Sequence, residues 1–202
     1  MYKILNYLME DEKKDLFIKG TIYDNNKKIV GQIFDEGARL DKKDIGSPFV
    51  IIADEKQSNL KNKQQKDKVS LSTINAGNLF LGSGKVENLF MKLGIKNIQF
   101  FDVKIESSIG DISEYKLLNI TDKIDCADFK SSDLVLFSDG DIKRIKKLVL
   151  DQTKIPKEKQ IFLLDKYPTQ VIVVHDDLIK AIEEAGLTGF NFVNLEDAGS
   201  IY

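Results

Sequence analysis

Residues 171–193, VIVVHDDLIKAIEEAGLTGFNFV, narrow what this chain can fold into more than any other stretch. Val171, Ile172, Val173 and Val174 form a short apolar, β-branched run, which suits a strand buried on both faces. Asp176 or Asp177 then opens a helix, because a carboxylate there accepts hydrogen bonds from first-turn N–H groups and sits at the positive end of the helix dipole. Leu178, Ile179, Ile182 and Ala185 fall on one side of that helix, while Lys180, Glu183 and Glu184 face water. Burying Leu178, Ile179 and Ile182 is worth roughly 1.5–3 kcal/mol each, against a few tenths from helix propensity, so docking decides the structure. Gly186 ends the helix, since the left-handed residue after the last turn costs glycine no Cβ clash. After Thr188-Gly189 the alternation of Phe190 to Val193 predicts a second strand.

The same design stands earlier. Leu79-Phe80-Leu81 is an apolar run, Ser83 can cap, and Val86, Leu89, Phe90 and Leu93 recur at helical spacing before Gly94 and the strand-like Ile98 to Phe101. Setting Gly94 on Gly186 also sets Val86 on Leu178, Phe90 on Ile182, Ile98 on Phe190 and Phe100 on Phe192. A strand–helix–strand unit is therefore expected twice.

Around these units the chain reads as strands joined by polar turns. Residues 1–54 predict an amino-terminal β-rich lobe, with Asp24-Asn25-Asn26 as a turn, Ile29-Val30 and Ile33-Phe34 after it, and Phe49 to Ile52 as a strand. Residues 55–68 hold Leu60 as their one apolar side chain and predict a solvated polar loop. Residues 69–202 predict a second, α+β lobe. In it Gln99 to Glu106 pairs with Tyr115 to Ile120, and Leu134 to Phe137, Leu148 to Leu150 and Ile161 to Leu164 are further strands. Lys143 to Lys147 reads as a run of compensating cations and the tail from Leu195 as unstructured.

With 42% hydrophobic and 31% charged residues the chain is an ordinary globular one, and no apolar run approaches the length of a membrane-spanning helix. The amino terminus shows no basic, apolar and small-residue sequence of a secretion signal, so residence in the cytoplasm is expected. A net charge of −2 argues against a general nucleic-acid binder. Cys126 and His175 are single, which rules out an internal disulfide and leaves nothing for a Cys/His zinc site; no cofactor is expected.

The motifs that suggest chemistry do not complete themselves. Gly82-Ser83-Gly84-Lys85 lacks the earlier glycine of a phosphate loop, which has Leu79 in its place, and the hydroxyl after the lysine, where Val86 stands. Ser83 lacks nucleophile-elbow spacing. His175 precedes Asp176-Asp177 but no nucleophile is placed beside it, so it reads as a helix-end histidine. Acidic neighbours of Cys126 raise rather than lower a thiol pKa, so it reads as a half-buried structural residue. The aspartates between Asp122 and Asp141 miss the spacing of the twelve-residue calcium loop and read as an acidic face or a docking surface for a basic protein.

The strand Val171 to Val174, the helix Asp177 to Ala185 and Gly186-Leu187-Thr188-Gly189-Phe190-x-Phe192 resemble the eleventh immunity-protein family of bacterial polymorphic toxin systems, formerly a family of unknown function. Leu89 to Gly94, Phe100-Phe101-Asp102-Val103, Tyr115-x-Leu117-Leu118-Asn119-Ile120 and Ile124-Asp125-Cys126 are similar to that family's middle section, so the likeness spans roughly Leu79 to Val193. The resemblance implies a protein without catalytic residues that binds and blocks a cognate toxin made by the same cell. Asp122, Asp125, Asp128, Asp139 and Asp141 are the protein-binding candidates, since acidic side chains speed encounter with a basic toxin such as a nuclease. The expectation is an α+β fold, mostly antiparallel sheet with two main helices, acting as a non-enzymatic binding protein. An unrecognised hydrolase or ligand-binding enzyme and a structural scaffold module are the alternatives.

Overall fold

The computed structural model describes residues 1–6, 17–18, 20–34, 36–41, 45, 48–54, 73–76, 79–108, 110–112, 114–167 and 170–200. The polar loop expected at 55–68 and the turn expected at Glu10 to Asp15 lie outside them. The fold is α+β and dominated by sheet. A seven-stranded sheet is built from β2 (Phe17–Ile18), β3 (Gly20–Tyr23), β4 (Phe49–Ala53), β5 (Thr73–Ala76), β6 (Leu79–Ser83), β7 (Ile98–Glu106) and β8 (Tyr115–Ile120), in the order β2-β5-β6-β8-β7-β4-β3. A five-stranded sheet uses β1 (Tyr2–Leu5), β9 (Lys123–Ile124), β12 (Ile161–Leu164), β13 (Ile172–His175) and β14 (Phe192–Asn194), in the order β14-β1-β13-β12-β9. A separate hairpin joins β10 (Asp133–Leu136) to β11 (Ile142–Lys147). Two α-helices occur among the described residues, α1 (Gly84–Lys92) and α2 (Asp176–Glu184).

The two expected units are present, and their ends are built alike. Gly94 has φ +71° and Gly186 φ +62°. Around Gly94 the N–H of Ile95 donates to the carbonyl of Phe90 and that of Gly94 to Met91. Around Gly186 the N–H of Leu187 donates to Ile182 and that of Gly186 to Glu183. This paired pattern satisfies the carbonyls a helix end leaves open and requires the left-handed residue that glycine supplies. The helix starts differ from expectation. His175, not an aspartate, is the capping residue of α2: its Nδ1 accepts from the N–H of Asp177 at 3.3 Å, while Asp176 and Asp177 occupy the first turn. Ser83 stands at the same position before α1 but its side chain makes no capping bond.

The correspondence reaches beyond strand–helix–strand. Reading β7-β8-β6-β5-β2 beside β14-β1-β13-β12-β9, every neighbouring pair is antiparallel except the last, which is parallel in both. Each unit is thus split by an antiparallel strand, β8 in the first and β1 in the second. The registers agree: Ser83 faces Tyr115 and Phe100 faces Leu118, as His175 faces Tyr2 and Phe192 faces Leu5. The inserted strands carry nearly one sequence, Tyr2-Lys3-Ile4-Leu5-Asn6 and Tyr115-Lys116-Leu117-Leu118-Asn119. The first repeat closes on the strand that follows it, and the second on a strand from the opposite end of the chain.

Alternation along these strands sorts their side chains into three cores. Phe80, Leu118 and Ile120 of the larger sheet meet Leu5, Ile161, Leu163, Ile172 and Val174 of the smaller across a shared middle layer that also takes Val86 and Phe90 of α1 and Leu178, Ile179 and Ile182 of α2. Outside the larger sheet, Leu81, Phe101, Ile105 and Leu117 pack on Ile22, Phe34, Phe49 and Ile51. Outside the smaller, Tyr2, Ile4, Phe162, Val171 and Val173 pack on Cys126, Ile142, Ile145, Leu148 and Ala198. Strands β3 and β4 extend the larger sheet by the parallel pairing of β4 with β7.

Three local expectations need correction. Gly31–Phe34 is a 3-10 turn rather than a strand, with Ile29 reduced to an isolated bridge to Tyr23; buried Phe34 serves as a plug in the outer core. The cation run is itself strand β11, because Ile142 and Ile145 both point inward, and Leu148 to Leu150 keeps only the bridge of Leu150 to Ala127. The tail from Leu195 is ordered through Ser200 as a 3-10 turn that buries Ala198 completely.

Candidate protein interface

The hairpin β10–β11 lies over the outer face of the smaller sheet. Ile142 and Ile145 are fully buried in the outer core and Leu134 packs against it, so one side of the hairpin is fixed. The turn at 195–200 holds β11 from behind: the N–H of Leu148 donates to the carbonyl of Leu195 at 3.0 Å, and a Cβ on Gly199 would stand only 2.6 Å from the carbonyl oxygen of Lys146. That contact requires glycine. At the tip the N–H of Phe137 donates to the carbonyl of Asp141 at 2.8 Å.

Cys126 anchors the base of this region. It is fully buried, more than the half-burial expected, and desolvation with the neighbouring Asp125 pushes its thiol up to about 12. Such a thiol stays protonated at neutral pH and is a packing residue, not a nucleophile. The N–H of Asp151 donates to its carbonyl, tying the two ends of the segment together.

The five candidate aspartates divide between two places. Asp122 forms a close ion pair with Lys159 and lines a cleft of about 540 Å³ together with Arg39, Lys96 and Glu158. The other four sit in or beneath the hairpin. Asp125 pairs with Lys166 at 2.9 Å, and that hydrogen bond, reinforced by the charges of Asp125, Asp165 and Asp141, raises the lysine pKa. The side chain of Asp128 accepts from the N–H groups of Lys130 and Ser131, and hydrogen bonding, the Ser131 side chain foremost, holds its carboxyl below the usual range. Asp139 accepts from the N–H of Asp141 at 3.1 Å in the hairpin turn. Much of the negative charge legible in the sequence is therefore occupied within the molecule.

The same segment also exposes apolar side chains and cations. Among the described residues, four of the nine exposed large apolar ones, Phe129, Val135, Leu136 and Phe137, fall within residues 129–137. Lysine ammoniums lie over both rings, Lys166 at 5.5 Å from the centre of Phe129 and Lys143 at 5.8 Å from that of Phe137. Among the described residues, Lys130, Lys143, Arg144 and Lys147 have no carboxylate within ion-pair distance. The aspartates and lysines on either side mask this apolar group in the sequence. A signal was present: Leu134-Val135-Leu136-Phe137 is apolar throughout, whereas a hairpin with one wet face should alternate.

His175 gathers no catalytic set. Its Nδ1 lies 3.2 Å from a carboxylate oxygen of Asp177, its Nε2 lies 3.4 Å from the amino group of Met1, and its ring packs edge-on against Tyr2 at 4.8 Å. It is a capping residue, and the 540 Å³ cleft does not include it. Among the described residues no three His, Cys, Asp or Glu side chains stand together as metal ligands. No helix among them is long and apolar enough to cross a membrane.

The pattern of the Immunity protein family (Imm11) matches residues 39–197. The chain belongs to this family. The match extends past both limits of the likeness read at Leu79 to Val193, and takes in β4 and the start of the carboxy-terminal turn. Among curated proteins none matches the chain. Within this immunity-family protein the matched residues include all of the first repeat from β5 onward and the second repeat without β1, the strand that completes it.

Proposed function

We propose that this immunity-family protein binds a cognate toxin made by its own cell and blocks it by occupying its surface, without a reaction of its own. Membership of the family carries the reading. The capping role of His175 and the protonated, buried Cys126 agree with it, since neither is free to act as base or nucleophile. The place of action is the cytoplasm, where a toxin would otherwise meet the producing cell's targets.

Tight blockade needs about 1,600 Å² of interface with a few well-packed anchors. The surface proposed to supply it is the hairpin region, with Asp125, Asp128, Asp139 and Asp141 part of its electrostatic pattern and Asp122 at the neighbouring cleft. Co-expression with a toxic carboxy-terminal domain found encoded beside this gene tests the function: the reading predicts such a neighbour and survival of cells that make both, and it fails if no such domain stands there or if the cells die as without the chain. Changing the five aspartates to asparagine must alter the rate of toxin association and its salt dependence. An unchanged rate removes them from the interface.

A further inference from the structure

We infer that the larger sheet closes on itself as a barrel of six strands, β2 and β3 counting as one, and that the strand closing it, residues 17–23, is a clasp that opens on one side only, between β2 and β5. This goes beyond the toxin-binding reading, because it concerns which edges the chain offers to any other strand.

β2 and β3 are separated by one residue in the chain, yet they stand at the two ends of the strand order. One intervening residue spans at most about 7 Å, whereas six steps of about 4.8 Å would hold the ends of an open sheet about 29 Å apart. Only a sheet curled into a ring satisfies both. Strand directions agree with the ring. β5 runs parallel to β2, β6 reverses, β8 reverses again, β7 reverses a third time, β4 runs parallel to β7 and β3 opposes β4. β2 and β3 therefore point the same way, as two halves of one strand must. The interior agrees too: Ile22 of β3, Phe49 of β4, Leu81 of β6, Phe101 of β7 and Leu117 of β8 share a single buried cluster, and side chains fill the lumen of so narrow a barrel. At the crossing stands Gly20, where a Cβ would lie 2.4 Å from the carbonyl oxygen of Ile52, a close approach that only glycine permits.

The two sides of the clasp are unequal. β3 holds β4 through four antiparallel residue pairs, and Ile22 is buried beneath them. β2 holds β5 through two pairs, Phe17 with Asn75 and Ile18 with Ala76, and parallel pairing is the weaker kind per residue. β5 is itself kept in place by four antiparallel pairs with β6. Local opening takes the route that breaks the fewest pairs, so the ring parts at β2–β5 while β3 stays on β4. Shut, the clasp leaves the larger sheet without a bare edge among the described residues, and another chain cannot extend it by strand addition. Parted, it bares the facing edges of β2 and β5, the place in this sheet where a foreign strand pairs.

Cysteine pairs in the full chain test the ring: Phe17→Cys with Asn75→Cys on one side of the clasp, and Thr21→Cys with Ile52→Cys on the other, each treated with a short bis-maleimide. Cys126, buried and protonated, stays out of the reaction. Each pair should link within a monomer, and the variant with all four cysteines should carry both links in one chain by peptide mass mapping. Links that form only between chains, or a pair that never links while thermal melting shows the fold intact, overturn the barrel. Backbone nuclear Overhauser contacts across both pairings in the unaltered chain give the same answer if a cysteine variant fails to fold, and their absence on either side overturns it equally. Residue-resolved hydrogen exchange of the unaltered chain tests the clasp. Amides of Phe17, Ile18 and the β2 side of Thr73–Ala76 should exchange at least about tenfold faster than those of β3 and β4, and the link between positions 17 and 75 should slow them to the level of β3. Equal rates on the two sides, or faster exchange between β3 and β4, overturn the one-sided opening.

Discussion

The two repeats share a scaffold and differ in their covers. Both hold a nine-residue helix closed by a left-handed glycine, and both sink that helix into one middle layer. The first is covered by residues that continue its sheet: β4 pairs with β7, and Phe34, Phe49 and Phe101 meet edge to face at 5.5–6.2 Å. In the second, β14 has no further strand beside it among the described residues, and the cover is an aliphatic hairpin with strands of its own. A cover built into the sheet spends its aromatic rings inside. One laid across a sheet leaves two phenylalanines and several cations exposed. The fold is thus repeated where stability is made and varied where recognition is proposed.

The comparison breaks first, if it is wrong, in the middle layer. Phe90 and Ile182 are equivalent and are 1% and 2% exposed. Phe90→Ala should cost about 3–5 kcal/mol and Ile182→Ala about 2–5 kcal/mol. Denaturant unfolding should remain a single transition in both, since one core serves both repeats. Two separated transitions would show the repeats to be independent. A smaller effect sharpens the difference in covers. Gly199→Ala forces a Cβ against the carbonyl of Lys146 and should cost about 1–3 kcal/mol, the range for overpacking. Hydrogen exchange should quicken in β11 and not in β4. The smallest effect concerns the helix starts, where sequence position agrees and chemistry does not. His175→Ala removes the acceptor for the N–H of Asp177 and should lose about 0.5–2 kcal/mol. Ser83→Ala should be neutral or stabilising, because its Oγ is buried with no hydrogen-bond partner and the change removes that cost. Thermal melts that ranked the two alike would refute the distinction.

Local features were legible in the sequence. Both helices, their closing glycines and the strands at Gln99 to Glu106, Tyr115 to Ile120 and Ile161 to Leu164 follow from periodicity and turn chemistry within a few residues. What depends on distant partners was not. The matching of Tyr2 to Asn6 with Tyr115 to Asn119 was present in the letters, but only the pairing of β1 with β13 and of β8 with β6 shows that the two segments do the same work. Strand β11 was hidden because the irregular ladder puts Ile142 and Ile145 three positions apart, which breaks the alternation that marks a strand. The aspartates of 122–141 looked like free charge because Lys159 and Lys166, which pair with Asp122 and Asp125, come from the far side of the hairpin in sequence. The ordered tail owes its place to the burial of Ala198, too small a side chain to announce a core position.

A protein that acts by covering another must be consumed in proportion. Titration of the active toxic domain with this chain, followed by recovery of the toxin, tests that most directly. The account predicts loss of activity linear in added chain, an endpoint at a fixed stoichiometry, and full activity in chemically unaltered toxin once the complex is separated. Inactivation of excess toxin by a small fraction of the chain, or recovery of a modified or cleaved toxin, would contradict it.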